Sequence, residues 1–187
     1  MAAERHDGRS GPEPGHDRAP GGVLIRRAVP DDWKVSRDIR LAALADAPHA
    51  FASTLDREIG LAEADWRSRL DSAVTYLAWH EGEPAGTATG LDHSGGAYPI
   101  PDAWHLVGMW VRPASRGTGI AGDLVEAVAA DARAAGAVAI GLWVTEVNGR
   151  AQAFYRRLGF RPTGARQIVR PEEPDHWEIQ LVRDLTR

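Results

Sequence analysis

The chain has 187 residues, of which 43% are hydrophobic and 26% are charged. These values are typical of a globular protein, and the length suits one domain rather than two full-sized ones. The net charge of -4 argues against a general nucleic-acid binder, which needs a basic surface to neutralise phosphates. No apolar run reaches the ~18 residues that cross a bilayer, and the N-terminus lacks the apolar stretch of a secretion signal. We therefore expect a cytoplasmic protein without nucleic-acid or membrane partners.

The residue inventory narrows the chemistry further. The chain has no cysteine, which excludes disulfides, thiolate zinc sites, iron–sulfur clusters and a cysteine nucleophile. Lys34 is the only lysine, so a lysine Schiff base is not expected either. The seven histidines are scattered, and no two have the spacing of metal ligands. The sequence predicts no metal site.

Residues 1–22 have the composition of a disordered tail. They hold five glycines, three prolines and no large aliphatic residue beyond Met1, so they cannot bury enough apolar surface to offset the entropy lost on ordering. We expect one folded domain over residues 23–187.

The rest of the chain predicts eleven elements in the order β α α β β β α β α β β. The strands are expected at residues 23–29, 74–80, 84–91, 104–111, 138–144, 163–169 and 177–183. The helices are expected from the cap Asp31 or Asp32 to the residue before Pro48, and at about 63–70, 120–135 and 148–158. Residues 46–61 are expected to be irregular, and residues 92–102 to form a surface loop. The predicted class is mixed α/β with a largely antiparallel front half.

The most informative segment is a glycine-rich turn between a predicted strand and a predicted helix. Gly117, Gly119 and Gly122 let backbone amides turn inward without side-chain obstruction, and the start of the helix adds partial positive charge. These features predict a cradle for an anion. Arg116 can add a charge-assisted hydrogen bond to a phosphate oxygen.

Three kinds of site use such a cradle. A nucleotide-binding P-loop is excluded, because Asp123 and Leu124 stand where that motif requires lysine and serine or threonine. A dinucleotide fingerprint matches the bare Gly-x-Gly-x-x-Gly pattern, with Glu146 in roughly the place of its ribose-binding acid. Two features count against it: Val111 lies too far before Gly117, and too little chain follows for a doubly wound sheet.

The third kind of site binds an acyl-CoA. Arg116, Gly119 and Ala121 match the R/Q-x-x-G-x-G/A motif of the GNAT N-acetyltransferases. Residues 148–160 resemble the second motif of that family, with the pattern Asn-x-x-Ala-x-x-Phe-Tyr-x-x-Leu-Gly-Phe. The spacing leaves room for one helix and one strand between the motifs, as the family requires. From Val23 to about Arg183, the chain resembles a bacterial GNAT enzyme of the type that acetylates small molecules or peptides.

This resemblance implies a mixed, mostly antiparallel sheet that splays between its fourth and fifth strands and is flanked by helices. It implies acetyl-CoA as co-substrate, with its diphosphate in the glycine turn and its pantetheine arm along Met109–Val111, and no metal. The residues implied to bind this co-substrate are Met109, Trp110, Val111, Arg116, Gly117, Thr118, Gly119, Ile120, Ala121, Asn148, Ala151 and Phe154. A helix cap is the alternative role for Asn148, and core packing is the alternative for Phe154.

The resemblance also implies two catalytic side chains. Tyr155 resembles the general acid of the family, which donates a proton to the departing thiolate, and packing on its helix face is the alternative. His105 stands where the histone-acetylating branch has a glutamate base. A histidine with a pKa near ~6.5 is able to accept a proton, although a lone histidine on a strand is more often structural. Glu58, His176 and Glu178 are further candidates for the base.

The sequence indicates the identity of the acceptor less clearly than that of the co-substrate. Residues 46–61 and 170–176 are expected to wall its pocket, which Trp110 and Trp143 would line. The acidic loop over residues 172–175 favours a small polar amine.

The resemblance as a whole implies N-acetylation of a primary amine by direct attack in a ternary complex, since no cysteine is present to carry an acetyl-enzyme. The open alternatives are a non-catalytic acyl-CoA-binding module, a peptide or protein N-acetyltransferase and, more remotely, an NAD-binding oxidoreductase. A homodimer is compatible with the family.

Overall fold

The computed structural model describes residues 22–93 and 102–186, which form one seven-stranded sheet and its helices. The strands are β1 (Val23–Arg27), β2 (Val74–His80), β3 (Glu83–Asp92), β4 (Ala103–Val111), β5 (Ala139–Thr145), β6 (Arg161–Ile168) and β7 (Trp177–Asp184). The helices are α1 (Trp33–Asp46), α2 (Leu55–Glu58), α3 (Glu63–Ser72), α4 (Ile120–Ala134) and α5 (Gly149–Arg157). The tail expected over residues 1–22, apart from Gly22, and most of the loop expected over residues 92–102 lie outside the described residues.

The sheet is mixed, with the strand order β1–β2–β3–β4–β5–β7–β6. Among the described strands only β4 and β5 pair in parallel. The β2–β3 hairpin turns through Glu81 and Gly82, whose φ values of 54° and 81° suit the tight turn of an antiparallel pair. By contrast, α4 provides the long crossover that the parallel β4–β5 pair needs. This topology confirms the predicted fold class and excludes the doubly wound sheet of a dinucleotide-binding domain.

Two apolar cores lie on the two faces of the sheet, because successive side chains of a strand point to opposite faces. On the back face, Ala78 packs into the core that α4 completes with Ile120 and other fully buried side chains. On the front face, the neighbouring Leu77 packs with Leu44 of α1 and Leu70 of α3. The sheet is therefore covered by α4 on its back face and by α1 and α3 on its front face.

The sheet opens between β4 and β5, as the sequence predicts. The two strands pair only over Ala103–His105 and Ala139–Gly141. Beyond that point β4 continues to Val111 and β5 to Thr145 without pairing to each other. Backbone amides and carbonyls on the facing edges therefore need another partner, such as a ligand or water.

A β-bulge in β4 lies beside this opening. Thr87 pairs with Trp110, whereas Thr89 pairs with Val107, so β4 holds one residue more than β3 over this stretch. Gly108 lies in the bulge with a φ of 63°, a conformation that glycine adopts without strain. The bulge re-aims the backbone of β4 where it leaves β5.

Residues 46–61 are more regular than the sequence predicts. They contain α2, a single turn whose cap Thr54 accepts a hydrogen bond from the amide of Arg57 at 3.4 Å. One turn is too short to produce an apolar periodicity, so the segment looks irregular in the sequence. Smaller differences concern β1, which ends at Arg27, and β6, which begins at Arg161. Within the described part of the chain, no helix is long and apolar enough to span a membrane.

Candidate active site

The glycine turn leads into the N-terminus of α4. Gly117 and Gly119 have φ values of 87° and 94°, in the left-handed region where a side chain is strained. Thr118 closes the turn by donating its hydroxyl to the carbonyl of Ser115 at 2.7 Å. Gly119 precedes α4, and no side chain caps the helix, so the first amides of α4 have no partner within it. This is the geometry expected of an anion cradle.

A groove of about 620 Å³ extends from this turn along β4 to α5. It is lined by most residues that the sequence implied for the co-substrate, namely Met109, Trp110, Val111, Arg116, Gly117, Gly119, Ala121, Asn148, Ala151 and Phe154. Thr118 and Ile120 do not line it. The hydroxyl of Thr118 is used within the turn, and the side chain of Ile120 is completely buried in the core. Ile120 therefore has only its main chain to offer a ligand.

Arg116 is held by two contacts within the protein. Its Nε donates to the carbonyl of Val111 at 2.9 Å, and its Nη2 pairs with Asp46. Asp46, the last residue of α1, also accepts a 2.9 Å hydrogen bond from the indole of Trp110. The indole and the guanidinium hold the pKa of Asp46 below its usual value. Sequence reasoning predicted a phosphate contact for Arg116 and missed Asp46, which lies 70 residues away in the chain.

Two further arginines of the groove, Arg150 and Arg157, were also missed. They lie seven residues apart on α5 and so share a helix face. Their guanidiniums add positive charge beside the glycine turn. A signal existed in the sequence, since both fall within residues 148–160 at this spacing.

Tyr155 lies on α5 between the groove and the core. Only 8% of it is exposed, and its ring contacts Phe154 and Phe160 edge-on, with centroids 5.1 and 5.6 Å away. Tyr155 lines the groove, and none of the described residues hydrogen-bonds its hydroxyl. Burial raises the pKa of this phenol, so it stays protonated at neutral pH. The groove thus contains a protonated donor without a partner.

Three other residues of the second motif have structural roles. The side chain of Asn148 caps α5 by accepting a hydrogen bond from the amide of Ala151 at 3.0 Å. Gly159 follows the helix with a φ of 91°, as the sequence predicts for its left-handed end. Phe154 packs against the back core. Asn148 and Phe154 nevertheless also line the groove.

A second cavity, of about 780 Å³, lies on the front face of the sheet between the strands and the helices α1, α2 and α3. It adjoins the groove. Ala50 and Phe51 line both spaces, and β4 contributes residues 105–108 to the cavity and residues 109–111 to the groove. We name this space the front cavity.

Three side chains expected near an acceptor, His105, Trp143 and Glu178, line the front cavity. Trp110 does not line this cavity but lines the groove. Its ring packs in the front core beside α1, where Asp46 binds its indole nitrogen. Trp110 therefore belongs to the part of β4 that lines the groove and not to the part that lines the front cavity.

The two candidates for a base in the front cavity differ in proton affinity. Burial, reinforced by the nearby His93, lowers the pKa of His105 to about 4, so this imidazole is neutral at pH 7. Burial raises the pKa of Glu178 above its usual value, against a 2.7 Å hydrogen bond from Gln167. Glu178 is therefore the stronger proton acceptor of the two.

Glu58 lines the same cavity but is a poor base. Burial disfavours its ionised form, but hydrogen bonds from Arg40, Ser53 and Arg69 outweigh this effect and hold the pKa of Glu58 at about 2. A carboxylate held so strongly as an anion does not retain a proton at neutral pH.

The loop after β6, whose residues 170–176 were expected to wall an acceptor pocket, does not line the front cavity. It lines a separate cavity of about 400 Å³. There His49, Glu173 and His176 bring potential metal-ligand atoms within 4.8 Å of one another, so histidines that are scattered in the sequence meet in space. Glu173 is already bound by Arg170 at 2.6 Å and by His176 at 2.8 Å. His176 lines this separate cavity and does not line the front cavity.

A family model described as the acetyltransferase (GNAT) family matches residues 38–160, which is more than half of the chain. The comparison with curated protein sequences finds no match.

Solved structures with the same fold include several acetyltransferases. YncA from Salmonella typhimurium, a putative acetyltransferase solved with acetyl-CoA, is 17% identical, with a TM-score of 0.70 over 89% of this chain and 95% of that one. A GNAT acetyltransferase from Streptococcus pneumoniae is 20% identical, with a TM-score of 0.68 over 87% and 99%. The ribosomal-protein-S18-alanine N-acetyltransferase of Escherichia coli is 16% identical, with a TM-score of 0.63 over 89% and 96%.

The structural likeness and the family match agree on the same region. The matched residues include the bulged β4, the glycine turn, the start of α4 and α5, which all contribute residues to the groove. The chain therefore belongs to the GNAT family of acetyltransferases.

Proposed function

We propose that the protein transfers the acetyl group of acetyl-CoA to a primary amine by direct attack within a ternary complex. The observation that carries this proposal is the meeting of two cavities at one strand. On β4, the residues up to 108 line the front cavity and the residues from 109 onward line the groove. Ala50 and Phe51 line both spaces. A thioester in the groove and an amine in the front cavity would therefore meet at the bulge of β4.

The groove fits acetyl-CoA on the chemistry of its donors. Unpaired amides at the start of α4 suit a diphosphate, and Arg150 and Arg157 add charge of the opposite sign. The edge of β4 that has left β5 suits the amides of a pantetheine arm. Acetyl-CoA bound there supplies an activated carbonyl carbon.

Tyr155 is the proposed general acid. As the new C–N bond forms and the C–S bond breaks, its hydroxyl would donate a proton to the sulfur. A phenol with a pKa of ~10 is a weaker acid than a thiol at ~8.5, and burial weakens it further. The transfer therefore works as a concerted step in which the hydrogen bond strengthens as charge develops on sulfur.

Proton removal from the amine is assigned to Glu178, with His105 as a neutral hydrogen-bond acceptor beside the same cavity. His105 was the first candidate from the sequence, and its low pKa suits it to orienting the amine rather than to holding a proton. As the pH falls through the raised pKa of Glu178, the carboxylate gains a proton and no longer accepts one.

We expect kcat to fall on the acid side with a midpoint above 4.5, the ordinary glutamate value. Glu178→Gln should lower kcat about 100-fold and remove this limb from the pH profile. His105→Asn should keep it. If Glu178→Gln retains a limb near pH 4, His105 is the base instead.

The order of transfer is tested by initial rates at varied acetyl-CoA and amine concentrations. A ternary complex predicts double-reciprocal lines that intersect. Parallel lines would point to an acetyl-enzyme and overturn direct attack.

A further inference from the structure

Residues of α1, α2 and α3 form one wall of the front cavity, which we name the helix wall. This wall contains more positive than negative charge. Glu58 of α2 accepts hydrogen bonds from Arg40 of α1 at 2.8 Å and from Arg69 of α3 at 2.8 Å. Two guanidiniums share one carboxylate, so the triad carries one excess positive charge. The triad lines the cavity together with the two rings that its arginines cover, those of Phe51 and Trp66, each 4.8 Å from a guanidinium carbon.

The exposure of the triad determines which charge a ligand would meet. The side chain of Glu58 is only 3% exposed, whereas those of Arg40 and Arg69 are 20% and 48% exposed. A molecule that enters the cavity would therefore contact guanidinium groups and not the carboxylate between them. This arrangement disfavours a cationic group at the helix wall and favours an anionic one.

The same wall also contains a buried donor that has no partner among the described residues. Trp66 is only 2% exposed, and its indole nitrogen is buried without a hydrogen-bond partner. A buried donor left unsatisfied costs roughly 1–3 kcal/mol. This nitrogen has almost no exposed surface, so an acceptor in the cavity could reach it only if the ring turned.

Residues of the strands form the other wall of the cavity, which we name the sheet wall. Its side chains suit a cationic or amine group rather than an anion. It holds the carboxylate of Glu178 and the neutral imidazole of His105, next to the bulge where β4 passes into the groove. The carboxylate of Glu178, of which Gln167 binds one oxygen, suits an amine. The cavity is thus anion-binding at its helix wall and amine-binding at its sheet wall.

We propose that the acceptor is an amino acid, bound with its carboxylate at Arg40 and Arg69 and its amino group at the sheet wall. This inference rests on the proposed function and narrows it to an amine that carries a carboxylate. The carboxylate would complete the charge balance of the triad, with two anions for two guanidiniums. The bidentate geometry of arginine suits such a group.

The test compares each of the twenty L-amino acids with its C-terminal amide, which keeps the amine and side chain but removes the negative charge. Release of CoA is measured with the full-length protein at saturating acetyl-CoA. For the preferred side chain we expect kcat/KM to be about 50-fold higher for the acid than for the amide, since a buried polar site rejects an analogue that leaves it unpaired. Arg69→Gln should bring the two values within about fivefold by lowering the acid alone.

Arg67→Gln is the matched control. Arg67 lies on the same helix and pairs with Asp31 and Glu63, but it does not line the cavity. This variant should keep the preference for the acid. Equal rates for acids and amides, or an equal loss for both in Arg69→Gln, would overturn the inference while leaving acetyl transfer intact.

A binding measurement decides the question independently of turnover. The indole ¹⁵N–¹H resonance of Trp66, assigned through Trp66→Phe, should shift when the L-amino acids are added and should not shift with the amides. No shift with either set would overturn the carboxylate site. Calorimetry with acetyl-CoA is run in parallel, because absence of heat there would remove the proposed function itself.

Discussion

Tyr155→Phe is expected to lower kcat by about 10²–10³-fold while changing the affinity for acetyl-CoA by less than about threefold. The substitution removes only the hydroxyl, which has no partner among the described residues, from a side chain that lines the groove. Loss of a positioned general acid costs on the order of 10²–10⁴-fold in rate. Single-turnover rates and calorimetric titration with acetyl-CoA measure the two quantities separately.

Tyr76→Phe is the control for this experiment. The hydroxyl of Tyr76 donates to Asp131 at 3.1 Å, so its removal should cost about 1 kcal/mol of unfolding free energy without affecting kcat. Tyr155→Phe should show the reverse, with stability almost unchanged. An unchanged kcat in Tyr155→Phe would leave the residue with its packing role alone.

Gly119→Ala is expected to weaken acetyl-CoA binding by about 30-fold. At a φ of 94° an L-residue is strained by roughly 1–2 kcal/mol, and relief of that strain would turn the first amides of α4 away from the diphosphate. A hydrogen bond to a charged group contributes about 1.5–3 kcal/mol, which corresponds to roughly 10–150-fold in affinity.

Gly136→Ala separates this effect from simple destabilisation. Gly136 follows the other end of α4 with a φ of 86°, and a Cβ there would meet nothing within 4 Å. Both variants should lose similar amounts of unfolding free energy by urea denaturation, but only Gly119→Ala should lose affinity by calorimetry. Equal affinity in the two variants would show that the turn does not bind the co-substrate.

The parts of the site that could be predicted from the sequence depend on neighbours in the chain. Gly117 and Gly119 predict a left-handed turn because only glycine adopts that backbone freely. Ala151 and Tyr155 share a helix face because of their spacing. The splay between β4 and β5 was predicted through the family resemblance, which carries tertiary information that periodicity does not.

The parts that could not be predicted are contacts between distant segments. Asp46 meets Arg116 and Trp110 only after α1 has packed on the front face. The triad at Glu58 joins α1, α2 and α3 in the same way. The position of Trp110 outside the front cavity, and the meeting of His49 with His176, likewise depend on how the chain returns on itself.

The proton affinities of His105 and Glu178 also could not be predicted from the sequence. His105 was the first candidate for the base because it stands where a branch of the family has a glutamate, and in the unfolded chain both His105 and Glu178 have ordinary pKa values. Burial then lowers the pKa of His105 and raises that of Glu178, because a low-dielectric environment disfavours the charged form of each.

By itself, the sequence determined the class of fold, the family and the left-handed glycine turn, because glycine conformation, helix periodicity and motif spacing are properties of short stretches of chain. Only the tertiary structure decided which charges line the front cavity and how the proton affinities of His105 and Glu178 depart from their ordinary values. Those properties arise from burial and from ion pairs between segments far apart in the chain, and neither exists until the helices have packed on the sheet.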